Sequence, residues 1–155
     1  MKEKKIVALI DSYTPDELPA EYADLVEAAK AATKRSYAPY SKFHVGAAIR
    51  MENGEIICGA NQENAAFSVT MCAERAACFY AASQYPGMPM RQIAVAAFHN
   101  GEFQRRPISP CGVCRQALLE YETLHGDIKV ILYGSEEVYV FPSVKSLLPL
   151  SFTEF

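Results

Sequence analysis

The sequence predicts one α/β domain, layered around a mixed sheet. Three observations point to this class. The chain has 155 residues, half of them hydrophobic, which is enough for one real core without disulfide support. Stretches with helical spacing alternate with short strand-like runs, the pattern of helices layered on a sheet. One Asn-Gly pair between two apolar runs marks a hairpin, and this supplies the antiparallel part of the sheet.

The elements follow in order. Ile6 to Ile10 is an apolar run that is expected to form either an added edge strand or a disordered arm. Thr14-Pro15-Asp16-Glu17 reads as a capping box with Pro at the first helical position. Pro19 interrupts, so the first main helix is expected from about Ala20 to Ser36, with Tyr22, Leu25, Val26, Ala29 and Ala32 on its apolar face. Its many alanines suggest close approach to a neighbour. Pro39 ends it, because the residue before proline avoids the helical region. Val45 to Met51 and Ile56 to Ala60 are the strands of the hairpin, turning at Asn53-Gly54. A helix over about 71–82, a buried-type strand at Ile93 to Phe98 and a turn at Asn100-Gly101 come next. A third helix runs from Cys111 to about Leu124, then a strand from Ile128 to Tyr133. The tail gives a short strand at Val138 to Phe141 and a short helix or turn at Ser146 to Leu150.

Composition removes several classes of function. Lys and Arg number 15 against 18 Asp and Glu, a net charge of -3, which disfavours a protein built to grip a phosphate backbone. No stretch approaches the ~20 apolar residues of a membrane span, and the short apolar run near the start is no signal peptide. Five cysteines make a closed disulfide framework improbable. Reduced thiols or metal ligands fit better, and both point to a reducing, cytoplasmic compartment.

The chemistry sits at three points. Pro110-Cys111-Gly112-Val113-Cys114 opens a helix, where unpaired backbone N–H groups and the helix dipole favour thiolate over thiol. This suits a metal or a redox pair, and a thioredoxin-like reading is available. Cys72-Ala73-Glu74 opens another helix and offers a third ligand. Three protein ligands and one open position are how catalytic zinc sites are built, whereas a structural site wants a fourth ligand. Cys58 and Cys78 are available for that role, although both also read as small core residues. The third point is Asn61-Gln62-Glu63-Asn64 after the second hairpin strand. It is either a polar turn or a hydrogen-bonding site for a sugar hydroxyl. The histidines His44, His99 and His125 have no ligand-like partner at short spacing.

Cys72-Ala73-Glu74 together with Pro110-Cys111-Gly112-Val113-Cys114 resembles the signature of the zinc nucleobase deaminases. Tyr37 to Ala48, Asn61 to Phe67, Ser109 to Gln116 and the closing Leu147 to Phe152 resemble the free-nucleoside cytidine deaminases in particular. The likeness spans roughly residues 20 to 152, so residues 1–18 read as an N-terminal extension and 19–155 as the catalytic domain. The resemblance implies a three-layer α/β/α sandwich with a mixed central sheet, and zinc-dependent hydrolytic deamination of cytidine and deoxycytidine in pyrimidine salvage. It implies Zn²⁺ on Cys72, Cys111 and Cys114, with Glu74 as the proton shuttle. Arg75 would hydrogen-bond to the sulfurs and offset their charge. For Arg115 a structural role is at least as good a reading. The resemblance also places Asn61 and Glu63 on the ribose, Phe43 against the pyrimidine, and main-chain groups of Ala73 and Ser109 on the base edge. Ala65, Phe67 and Phe152 would come from a neighbouring subunit of a homotetramer. Phe67 stands where the family often has Tyr and Gln62 where an aliphatic residue is common, so weaker or altered sugar contacts are expected from the first. A relative acting on another aminated heterocycle, a polynucleotide deaminase and a structural zinc module are the alternatives.

Overall fold

In a computed structural model, residues 1–154 are described. The sheet is mixed: its strands are β1 (Asp11–Tyr13), β2 (His44–Met51), β3 (Ile56–Ala60), β4 (Met90–His99), β5 (Glu102–Phe103), β6 (Lys129–Tyr133) and β7 (Val138–Phe141). The order across it is β1-β7-β6-β4-β2-β3, with β5 paired to β4. Only β4 and β6 run parallel; the other pairs are antiparallel. The helices are α1 (Ala20–Ala32), α2 (Ala73–Gln84) and α3 (Gly112–His125).

Side-chain alternation along the strands divides the core into two layers. Ala48, Ala94, Ala96 and Ile131 face Tyr22, Leu25, Val26 and Ala29 of α1. Ala47, Ile49, Ile93, Val95, Val130 and Leu132 face Ala77, Cys78, Leu118 and Leu119 of α2 and α3. The three layers expected from the sequence are therefore present.

Glycine sets how closely the helices sit. A Cβ on Gly46 would lie 2.1 Å from the Ala29 carbonyl oxygen, and one on Gly59 would lie 2.4 Å from the Ala77 nitrogen. The alanine-rich helices thus rest with backbone almost touching the sheet.

Four expectations change. Ile6 to Ile10 forms no strand; the edge strand is Asp11–Tyr13, whose Asp11, Ser12 and Tyr13 pair with Val140, Tyr139 and Val138. The Thr14–Glu17 capping box is made, but it caps one 3-10 turn, Pro15–Glu17, because Pro19 stops propagation. The α-helical part of the first helix ends at Ala32 and continues as a 3-10 turn over Thr33–Arg35. Asn100-Gly101, with φ of 53° and 84°, is a two-residue hairpin that creates β5, a strand too short for the sequence pattern to show.

Candidate active site

β3 and β4 run in the same direction, since each is antiparallel to β2. Their C-terminal ends therefore share one edge of the sheet, and α2 and α3 begin beyond that edge. Cys72 is the N-cap of α2 and Cys111 the N-cap of α3, both with extended backbone. Cys114 lies in the first turn of α3 and is buried. Two helix N-termini converge on one point, each presenting unpaired N–H groups and a positive dipole end to the sulfurs.

The Cys72 and Cys111 sulfurs are 4.0 Å apart and those of Cys111 and Cys114 3.5 Å. All three lie within 4.8 Å of one another, and among the described residues no other His, Cys, Asp or Glu joins the group. Sulfurs bound tetrahedrally at about 2.3 Å sit roughly 3.8 Å apart, so the spacing and the donor set fit zinc. Cys58 cannot complete a structural site: it pairs with Ala48 and faces the α1 layer. Cys78 is fully buried in the opposite layer, its sulfur 4.0 Å from that of Met90.

The Cys114 thiol donating toward Cys72, with the Arg75 guanidinium alongside, pulls the Cys72 thiol down to about 5. The same bond to Cys72, burial and the nearby Glu74 carboxylate push the Cys114 thiol up. Arg75 lies 3.8 Å from the Cys72 sulfur through Nη2, and that contact holds its guanidinium charged. Its Nε is buried without a hydrogen-bond partner, so the guanidinium is compensated mainly by thiolate charge. The Glu74 carboxyl is 5 % exposed. Burial pushes it above the usual carboxylate range, and the negative Cys72 sulfur adds to this.

A cavity of about 220 Å³ opens at this point, lined by Asn61, Glu63, Cys72, Ala73, Glu74, Ser109 and Cys111, with Val45, Val95 and Ile108 among its apolar walls. Seven residues singled out in the sequence thus meet at one place. Asn61 and Glu63 also hold the preceding loop. Asn61 accepts from the Val45 N–H at 2.8 Å and donates to the Phe43 carbonyl at 2.9 Å. Glu63 accepts from the Tyr40 N–H at 2.8 Å and from the Ser41 hydroxyl, and the Ser41 bond is the main reason its carboxyl is held low. Each retains lone pairs for a ligand hydroxyl. The Phe43 ring is not part of the lining; it lies tilted against His99, 5.5 Å between centroids.

Ala65, Phe67 and Phe152 stand outside this cavity. Ala65 is exposed. Phe67 is 76 % exposed and edge-on to Tyr40, beside a depression that shares Glu63 and Thr70 with the cavity. Phe152, also exposed, borders a broad apolar groove on the outer face of α2 and α3 with Phe79, Val113 and Tyr121, and its carbonyl accepts from Gln116. None of the histidines joins the thiols: His44 bonds to Ser36 at 2.6 Å, and His99 to the Lys42 carbonyl at 2.9 Å. Gln62 is taken up by the backbone, donating to the Arg35 carbonyl.

Sequence reasoning missed Glu122. This buried carboxylate accepts from the N–H groups of Ile128, Val144 and Lys145 at 2.7–2.9 Å. An acidic residue on the apolar face of α3, between Leu119 and the terminal Gly126, was the available signal.

The family model for the cytidine and deoxycytidylate deaminase zinc-binding region matches residues 19–130. A cytidine deaminase of Sporosarcina psychrophila is 40% identical over 131 residues, 84% of this chain and 90% of that one. A blasticidin-S deaminase of Bacillus cereus is 35% identical over 115 residues, 73% of this chain and 79% of that one. Among solved structures, the cytidine deaminase from Burkholderia pseudomallei superposes with a TM-score of 0.71 at 42% identity, covering 84% of this chain and 98% of that one. The cytidine deaminase from Mycobacterium tuberculosis gives 0.69 at 29% identity, covering 87% and 99%.

Proposed function

The chain belongs to the cytidine and deoxycytidylate deaminase family with its zinc-binding region, and from that premise we propose how its own residues carry out the reaction. The protein is a zinc-dependent hydrolase that converts cytidine and deoxycytidine to the uracil nucleosides and ammonia, a step of pyrimidine salvage. The observation that carries the reading of the site is the convergence of three sulfurs from two helix N-termini beside a buried carboxyl.

Cys72, Cys111 and Cys114 would hold the zinc. When bound, the metal supplies a water acidic enough to act as a nucleophile near neutral pH. Glu74 takes a proton from the attacking oxygen and gives it to N3 of the pyrimidine. It then helps to protonate the departing amino group, so that a C4–O bond replaces the C4–N bond and ammonia leaves. A carboxyl raised by burial holds a proton more readily than a free one and so suits this double duty. Arg75 offsets the surplus negative charge of three thiolates, which would otherwise weaken the metal as an electrophile. Asn61 and Glu63 bind the sugar, main-chain groups at Ala73 and Ser109 read the base edge, and Phe43 moves against the ring from its place beside His99.

A homotetramer completes the site, with Ala65, Phe67 and Phe152 supplied by neighbours. A cavity of about 220 Å³ is smaller than the roughly 300–1,000 Å³ of ordinary ligand pockets. Phe67 and Phe152 are exposed aromatics, costly to leave in water. Residues 19–155 form the catalytic domain and 1–18 an extension. Among the described residues no helix is long and apolar enough to cross a membrane, and all five cysteines are unpaired; both agree with a cytoplasmic enzyme.

The test is Glu74→Gln, followed by the absorbance change of cytidine to uridine and by zinc content. The variant is expected to keep its fold and zinc and to lose about 10²–10⁴-fold in turnover. A variant as active as the parent would overturn the assignment. Chelation should abolish activity, and zinc should restore it. Parallel kinetics on blasticidin S set the substrate class.

A further inference from the structure

We infer that Arg115 is a positioning residue that braces the Ser109-Pro110-Cys111 loop against the C-terminal turn, and that this brace sets substrate affinity and zinc retention. The inference rests on the reading of the cavity given above. Arg115 follows Cys114 on the first turn of α3, and its side chain folds back toward the start of the helix. Its guanidinium is used on all sides. Nε donates to the Pro110 carbonyl at 2.8 Å, Nη2 to the Ser109 hydroxyl at 2.8 Å, and Nη1 to the Leu147 carbonyl at 2.7 Å. A planar fork with fixed donor directions can serve three acceptors in this way, whereas an ammonium on a flexible stem cannot.

The far end of the brace is itself held. Leu147 closes the 3-10 turn Val144–Leu147, and the N–H groups of Val144 and Lys145 donate to Glu122, seven positions further along α3, at 2.7 and 2.9 Å. Helix α3 therefore grips the turn at Glu122, and the turn steadies Arg115. Arg115 in turn fixes the two residues before Cys111. Ser109 and Cys111 both line the cavity that contains Glu74. Glu74 and Arg75 lie on α2, outside this chain of contacts. Loosening the brace should thus disturb binding and the Cys111 ligand more than the proton shuttle.

The experiment compares Arg115→Lys, Ser109→Ala and Glu122→Gln with the parent, all zinc-loaded. Steady-state kinetics on cytidine are measured together with the rate at which a colorimetric chelator strips zinc. In Arg115→Lys, KM is expected to rise about tenfold, with kcat within about threefold, as loss of binding felt equally in ground and transition state predicts. Zinc release should quicken about tenfold. Glu122→Gln, which touches nothing in the cavity, should shift both readouts in the same direction. If Arg115→Lys stays folded with KM and zinc release unchanged, the inference is wrong. A fall in kcat at constant KM would also overturn it, since that would place Arg115 in the chemical step. If Arg115→Lys fails to fold, Ser109→Ala decides: a raised KM supports the brace and an unchanged one rejects it. Zinc release needs no substrate, so it tests the brace even if the parent fails to turn over cytidine, an outcome that would reject the functional reading alone.

Discussion

At the residue scale, the five cysteines divide between the end of the sheet and its two faces. Cys72, Cys111 and Cys114 cluster at the C-terminal edge of β3 and β4, whereas Cys58 and Cys78 are side chains of the two core layers. The motif spacing made the first three legible as candidate ligands. It left open whether Cys58 or Cys78 was a fourth, because only the register of β3 against β2 shows Cys58 pointing at α1. The cluster also has a titration signature. The Cys114 thiol and Arg75 lower the Cys72 thiol, whereas burial raises the Cys78 thiol. In chelator-stripped protein, an alkylating agent at pH 6 is expected to label Cys72 ahead of the fully buried Cys78. Peptide mapping that finds Cys78 labelled first would contradict this.

At the scale of elements, the position of the site depends on how closely α2 lies on the sheet. Gly59 permits that approach: an added Cβ would come within 2.4 Å of the Ala77 nitrogen and 2.6 Å of the Ala73 carbonyl oxygen. Both are backbone atoms and cannot swing aside, so Gly59→Ala should push the start of α2 outward with Cys72 and Glu74. A destabilisation of about 1–3 kcal/mol is expected, seen as a lower thermal midpoint, together with at least a tenfold loss of kcat/KM. Gly112→Ala is the matching control for the fold, since its Cβ would meet nothing within 4 Å. An alanine-rich helical face hinted at close packing in the sequence, but not which glycine received it. Likewise the length of α1 was legible only to within one turn, because the change to 3-10 geometry at Thr33–Arg35 leaves no mark in the apolar spacing.

At the scale of the whole molecule, the accessible surface of 8856 Å² exceeds the roughly 7,700 Å² of an average globule of this mass. The first ten residues are exposed and lie outside the sheet, as are the aromatics Phe67 and Phe152. These features have different consequences. Removing Met1 to Ile10 should leave kcat/KM and the thermal midpoint of the enzyme unchanged within error, because no buried residue or strand pairing is lost. In the proposed homotetramer, where a neighbouring subunit covers this aromatic, Phe152→Ala should instead weaken the enzyme about tenfold or more through KM. Subunits exchanged between Phe152→Ala and Glu74→Gln oligomers should recover turnover, since some hybrid sites then combine an intact Glu74 with an intact Phe152. Absence of recovery in verified hybrids would show that each chain carries its own complete site.

The sequence by itself determined the α/β class and the hairpin, and it singled out Cys72, Cys111, Cys114 and Glu74. The class and the hairpin follow from local rules, alternation and turn chemistry; the roles proposed for the four residues rest on the resemblance of their motifs. Tertiary structure alone decided which layer each remaining cysteine entered. It also decided that Asn61 and Glu63 hold the loop over 37–43 and the start of β2 as well as facing the cavity, and that Arg115 and Glu122 tie the Ser109-Pro110-Cys111 loop to the C-terminal turn. Those contacts join residues 16 to 32 positions apart. Their existence depends on strand register and helix seating, which no short window of sequence encodes.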